Sequence, residues 1–168
     1  MNRIARYATL LVVLAAGLLV ACGGDESQDR PAAEAAPDRF ANEFPPLNDR
    51  IAEVGAEVRN RIRRTPSRPQ ASQRLAGNLL DAADELGELR REVEDLRVPE
   101  TLSPQRDVVV VAIRDVRRAL ERMSHVASVN RPPPALRNAR IALVEALRAL
   151  NRTRSTLAEG MRAAENSG

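Results

Sequence analysis

Residues 75–127 read LAGNLLDAADELGELRREVEDLRVPETLSPQRDVVVVAIRDVRRALERMSHVA, and this stretch decides the fold. Its first half carries an apolar ladder at Leu75, Leu79, Ala82, Leu86, Leu89, Val93 and Leu96, with steps that alternate between four and three residues. Its second half carries another at Val109, Ile113, Val116, Leu120, Met123 and Ala127, with the same alternation. Steps of four and three keep side chains on one face of an α-helix. The run Val108–Val111 has the β-branched character of a strand, but it continues into Ile113 and Val116 at helical spacing, so it reads as buried helix. When the chain is folded back at residue 101, the ladders superimpose: Val93 meets Val109, Leu89 meets Ile113, Leu86 meets Val116, Ala82 meets Leu120, Leu79 meets Met123 and Leu75 meets Ala127. Matched layers of this kind are what an antiparallel helical hairpin requires.

The flanking segments repeat the device. Leu47, Ile51, Val54 and Val58 are expected opposite Leu86, Ala82, Leu79 and Leu75, a fold-back centred beside Pro66. Leu136, Leu143, Leu147 and Leu150 are expected opposite Ala127, Leu120, Val116 and Ile113, a fold-back centred beside Pro132. Prolines fit a first turn and break a helix interior, so those at 66, 69, 99, 104 and 132–134 mark boundaries. Helices are expected at about 47–64, 69–97, 104–130 and 134–165, the third with Ser103 as N-cap and Pro104 at its first position. The fold expected is all-α, an antiparallel up-down-up-down four-helix bundle over residues 46–168, long enough for one hydrophobic core. Two features of the fourth helix strain this scheme. Arg140 and Arg154 fall on its apolar ladder, tolerable at a bundle edge where the stem lies on apolar surface and the guanidinium reaches water or a carboxylate. Leu136, Leu143, Leu150 and Leu157 recur every seven residues, a spacing that suits a seam with a second chain but is better satisfied inside this bundle, so a homo-oligomer is not favoured.

Upstream of the bundle, Arg3 and Arg6 precede an apolar run from Ala8 to Ala21. Its 14 residues fall short of the about 20 that span a bilayer, which is the layout of a secretory signal. The run closes on Leu19-Val20-Ala21-Cys22, and Cys22 is the one cysteine of the chain, so no intramolecular disulfide can form. These four residues resemble the lipobox of bacterial lipoproteins. The resemblance, confined to the signal region, implies cleavage after Ala21, a diacylglyceryl group on the Cys22 thiol and palmitate-type acylation. It further implies a location at the cell membrane or outer membrane, facing the periplasm or exterior, with Gly23 permissive for outer-membrane sorting. The whole chain is similar to small helical lipoproteins of GC-rich bacteria in composition and architecture, a likeness that implies no activity. The domain scheme is then a signal peptide at 1–21, a lipid-anchored linker at 22–45 and the bundle at 46–168.

Loss of residues 1–21 removes two of 26 arginines and no acid, leaving 24 basic against 23 acidic residues, and lysine is absent throughout. Charge is unevenly spread: residues 22–45 hold six acids and two arginines, 46–100 eleven and ten, and 101–168 six and twelve. The polar, aperiodic stretch from Gly23 to Pro37 cannot bury enough surface to offset the entropy of ordering, so a disordered tether is expected. Phe40 and Phe44, the two aromatics of the exported part, are one helical turn apart. They are expected to pack on an end of the bundle, at less cost to remove than a core layer, with an exposed docking motif as the alternative.

Chemistry-bearing constellations are few. Asp81, Glu85, Glu88, Glu92 and Asp95 line one flank of the second helix, read as a solvated strip that pairs with arginines of a neighbour. A metal site in a helical bundle needs inward carboxylates and Glu-x-x-His pairs; the single histidine, His125, supplies none and is turned about 200° from Met123 on the helical wheel. No Gly-rich phosphate loop and no nucleophile-base pair is present, so neither an enzyme nor a cofactor is expected. The basic half lacks aromatics that would stack on bases, which argues against nucleic acid. The expectation is a non-enzymatic interaction module of the envelope, binding a protein or an anionic polymer; the alternative is a small-ligand or lipid-binding lipoprotein. Candidate contacts with an anionic partner are Arg114, Arg117 and Arg118 on the third helix and Arg137, Arg148 and Arg152 on the fourth.

The lipobox reading is checked by fractionation. Cys22→Ala should leave the protein as uncut precursor or move it out of the membrane fraction, because stable anchoring takes two acyl chains and this variant carries none. Normal processing with continued membrane association would refute it.

Overall fold

The computed structural model describes residues 35–63, 68–129 and 133–166. Ala21, Cys22 and the first part of the expected tether lie outside the described residues. Four helices follow in order, α1 (Ala35–Ile62), α2 (Pro69–Asp95), α3 (Ser103–Ser128) and α4 (Pro133–Glu165), with a short 3₁₀ turn, Glu100–Leu102, between α2 and α3. Consecutive helices pack against each other and α4 closes on α1, giving the antiparallel bundle; α2–α3 is the most extensive interface and α1 is the most lightly packed helix.

The α2–α3 seam has the layers read from the sequence. Leu79, Leu86, Leu89, Val93, Val109, Ile113, Val116 and Leu120 are fully buried. At each such position about 1.5–3 kcal/mol of transfer free energy favours the folded state. Within Val108–Val111 the helix turns Val109 and Val110 inward and leaves Val108 and Val111 about half exposed. Ala83 is fully buried and Ala82 only partly, a small rotation of α2 from the expected ladder. Ser124 is buried where two ladders leave room for a polar group, and its hydroxyl donates to the Ala76 carbonyl at 2.9 Å. Arg106 ties the turn, donating to the Leu96 carbonyl at 3.3 Å, one of the acceptors a helix C-terminus leaves unpaired. Ser103 is not the N-cap expected: the 3₁₀ turn runs directly into α3, Ser103 is already helical, and Leu102 takes the capping position without a side-chain cap.

The α3–α4 register also holds. A Cβ added to Gly160 would lie 2.9 Å from Leu102 Cδ2, two residues that the fold-back places within one position of each other. Leu143, Leu147, Leu150 and Leu157 are buried in this chain's own core and Leu136 is partly buried against it, so the heptad leucines face inward.

The first helix departs from expectation. It starts at Ala35 and runs through Pro45 and Pro46, so residues 35–45, assigned to the linker, are its first three turns. Burial explains why: Phe40 and Phe44 are 1% and 0% exposed, with stacked rings 5.3 Å apart between centroids. An exposed docking motif is thereby ruled out. Two prolines in a helix interior each forfeit a backbone hydrogen bond. They are exposed here, and the apolar side chains on either side, Phe44 and Leu47, are buried.

The register of α1 shifts accordingly. Arg50 meets Glu92, whereas the fold-back beside Pro66 puts Arg50 opposite Ala83, nine residues away. Against α4, Gly55 lies beside Leu147 rather than residue 139, and Asn48 beside Arg154 rather than residue 146. Three contacts agree on a displacement of eight or nine residues, about 12–13 Å at 1.5 Å per residue. The sequence period gives α1 a correct face, since Leu47, Ile51, Val54 and Val58 are all buried, but the axial position belongs to the phenylalanines.

Leu86→Asp and Leu120→Asp, each placing a charge where no side-chain surface is exposed, should abolish cooperative thermal unfolding of the full chain followed by circular dichroism. Phe44→Ala should lower stability by about 3–5 kcal/mol, a core-sized loss rather than the minor one the sequence suggests. Unchanged melting of either aspartate variant would overturn the seam.

Candidate anion-binding groove

The shift of α1 has a consequence at the end of the bundle formed by the C-termini of α1 and α3 and the N-termini of α2 and α4. Because α1 stops at Ile62, opposite the middle of α4's first half, it leaves a groove of about 490 Å³ beside α4. Arg59 and Arg63 line it from α1 and Arg140 and Arg148 from α4. Ile62, 3% exposed, and Val144, partly buried, supply apolar wall between them. Local structure accounts for the arrangement: Arg59 is in the last turn of α1 and Arg63 in the turn just beyond its end, while Arg140, Val144 and Arg148 share one face of α4.

No acidic residue lines this groove. Among the described residues none of its four arginines forms an ion pair, although other arginines do so repeatedly: Arg39 with Glu43, Arg61 with Glu57, Arg90 with Glu94, and Arg106 with Asp107. The positive field is felt by a neighbour. Arg154 on α4 has its pKa lowered, first by burial and then by the charge of Arg59, against a smaller opposing effect of Asp49. Its guanidinium is held by Asn48 Oδ1 at 3.0 Å and Asn151 Oδ1 at 2.6 Å, amide partners that leave its charge uncompensated. Arg154 is thus partly buried on the apolar ladder, and its hydrogen-bond partners are amide oxygens rather than the carboxylate or water expected.

The six arginines singled out in the sequence are not brought to one face. Arg117 lies across buried Gly87 of α2, where an added Cβ would sit 3.5 Å from its Nη1, and its Nε is 3.1 Å from Glu121, an ion pair without an aligned hydrogen bond. Arg118 is on the other flank of α3, 4.0 Å from Asp115 and beside Ala139 and Ala142 of α4. Arg114, Arg137 and Arg152 are exposed and line none of the grooves described, and only Arg148 of the six reaches the α1–α4 groove. Arg59, Arg63 and Arg140 were missed as site residues. The signal for Arg59 and Arg63 is their one-turn spacing without an intervening acid on that face, but the overall balance of residues 46–100 conceals it.

The acidic line of α2 meets α1 where Arg50 Nη1 lies 2.6 Å from Glu92 Oε2. The pKa of Arg50 is raised by that hydrogen bond, against a smaller effect of desolvation, with further support from the charges of Glu92, Glu85 and Glu88. His125 is exposed, as expected. Among the described residues no cluster of acidic, histidine and cysteine side chains could hold a metal ion, and no helix is long and apolar enough to cross a membrane. No protein-family model matches the chain, and neither the curated proteins nor the solved structures contain a significant match to it.

Arg50 and Glu92 are both about half exposed, so solvent screens their attraction. A double-mutant cycle with Arg50→Ala and Glu92→Ala should give a coupling of about 0.2–1 kcal/mol. A coupling several times larger would mean that this pair, rather than the phenylalanines, fixes the position of α1.

Proposed function

We propose that this chain is a lipid-anchored, non-enzymatic interaction module of the bacterial envelope that binds an anionic component through the α1–α4 groove. The observation that carries the reading is the set of four arginines, Arg59, Arg63, Arg140 and Arg148, gathered from two helices around an apolar wall with no carboxylate among the lining residues. Like charges gathered on facing helices repel one another, and a bound anion relieves that repulsion. Guanidinium groups present planar forks of donors suited to carboxylate and phosphate oxygens. The lipobox at Leu19–Cys22 supports the anchor, and the filled aliphatic core supports recognition on the surface rather than in an internal cavity.

The test is retention of anionic material from a native envelope extract by the immobilised full chain over a salt series. Retention should fall steeply with ionic strength and be lost when Arg59, Arg63, Arg140 and Arg148 are all changed to glutamine. The triple variant Arg114→Gln, Arg117→Gln and Arg118→Gln should retain most of it, because these residues lie outside the groove. Retention insensitive to salt, or lost in the triple variant alone, would remove the groove from the function.

A further inference from the structure

Resting on that reading, we infer that the groove takes a linear polyanion whose charges repeat along a flexible aliphatic backbone, as in a chain of glycerol phosphates, and not the headgroups of a flat bilayer. Three observations converge. The first is the shape of the charge. Arg140 and Arg148 are eight residues apart on α4, about 12 Å, and Arg59 and Arg63 are four apart on α1, about 6 Å. The cations therefore form two rows along the groove rather than a ring around one point. A single phosphate occupies one position between such rows, whereas successive anions of one chain engage them together, and linked contacts strengthen each other without new chemistry.

The second observation is concavity. Ile62 is 3% exposed and committed to the core, so the apolar surface left between the two helices is that of partly buried Val144 and the arginine stems. A bilayer surface is too broad to follow a groove between two helices, while a single strand can lie along it with its methylene groups against Val144 as its phosphates meet the guanidinium groups. The third is position. The chain enters the bundle at Ala35, and Arg59 lies 24 residues along the same helix, about 36 Å away. The groove is thus toward the end of the bundle remote from Ala35, where the lipid-anchored segment would join it.

Charge on the whole bundle follows the same axis. Across its groove half, residues 54–63, 68–88, 114–129 and 133–148, arginines outnumber acids by twelve to eight, a net +4. Across the half that receives the tether, residues 35–53, 89–113 and 149–166, acids outnumber arginines by eleven to nine, a net −2. This polarity steers a long anion to the groove end and disfavours contact between the tether end and an anionic surface.

One phosphate chemistry in three forms tests the inference. The full chain, reconstituted in phosphatidylcholine vesicles, is titrated with a fluorescent glycerol-phosphate oligomer at low salt. Monomeric glycerol phosphate and phosphatidylglycerol vesicles then serve as competitors. The oligomer should bind, and the monomer should need at least about a hundredfold higher concentration to compete. Equal phosphate presented on vesicles should compete poorly. Arg59→Gln combined with Arg140→Gln should weaken the oligomer by about tenfold or more and flatten its salt dependence. Arg97→Gln combined with Arg162→Gln, which removes the same charge from the other end, should change it by less than about twofold. Monomer and oligomer of equal strength, or an oligomer indifferent to the groove variant, would overturn the inference. Groove-dependent binding to phosphatidylglycerol vesicles in place of the oligomer would overturn it too, while leaving an anion-binding module standing. If neither oligomer, monomer nor vesicle binds at low salt, the proposed function falls with it.

Discussion

The seam between α2 and α3 is the constraint on which the rest of the bundle is built. Its side chains interlock at a fixed register, with Leu86 and Val116 in one layer and Leu79 and Met123 in another, all at or near zero exposure. Neither helix can slide by a turn without moving a whole set of leucines out of register with their partners. The short Leu96–Leu102 connection and the Arg106 contact with the Leu96 carbonyl hold the same register from the turn. The fourth helix then docks on a surface that already exists. Gly160 beside Leu102 fixes its C-terminal end, and the inward heptad leucines fix its rotation.

The first helix is subject to a different rule. It packs on α2 and α4 less extensively than they pack on α3, so its axial position is open to whichever end offers more burial. Phe40 and Phe44 decide this. Two aromatic side chains carry a large apolar area. Burying both at the end where α1 begins, in one core with Leu96, Leu102, Leu157 and Met161, outweighs the layer-by-layer match that the aliphatic residues of α1 offer further along. The same choice extends the helix through Pro45 and Pro46 and uncovers α4 at the opposite end. The groove lies between the last turns of α1 and the stretch of α4 that they face in the shifted register.

This distinction marks what the sequence made legible. Helix number, order, inward faces and two of three registers follow from apolar periodicity, because each depends on a repeating pattern that only one hairpin satisfies. The start and register of α1 do not, because they depend on two side chains inside an otherwise polar stretch, next to prolines that locally argue against a helix. Ser103 was misread for a related reason: a 3₁₀ turn preceding a helix displaces its capping position and leaves no local sequence mark. The candidate site was legible only as an arginine excess. Counting charge along the chain assigns that excess to the last two helices. An antiparallel bundle interleaves chain segments by level, so Arg59 and Arg63, from a segment with no basic excess, join Arg140 and Arg148 at one end.

A segment-wise charge count and an end-wise one imply different partners. A basic face along α3 and α4 would have lain flat against an extended anionic surface, with the bundle on its side. Acids placed on those helices work against this: Asp115 approaches Arg118, and Glu121 approaches Arg117, so much of that face is locally compensated. Among the described residues the arginines that line the groove have no such ion pair, and they are spread around an apolar wall instead of projecting from a single helix. If the segment before Ala35 carries the proposed lipid anchor, the long axis of the bundle becomes the direction of reach toward the cationic groove. An anionic partner of the proposed kind would then be met toward the end remote from Ala35, as a polymer narrow enough to lie between two helices.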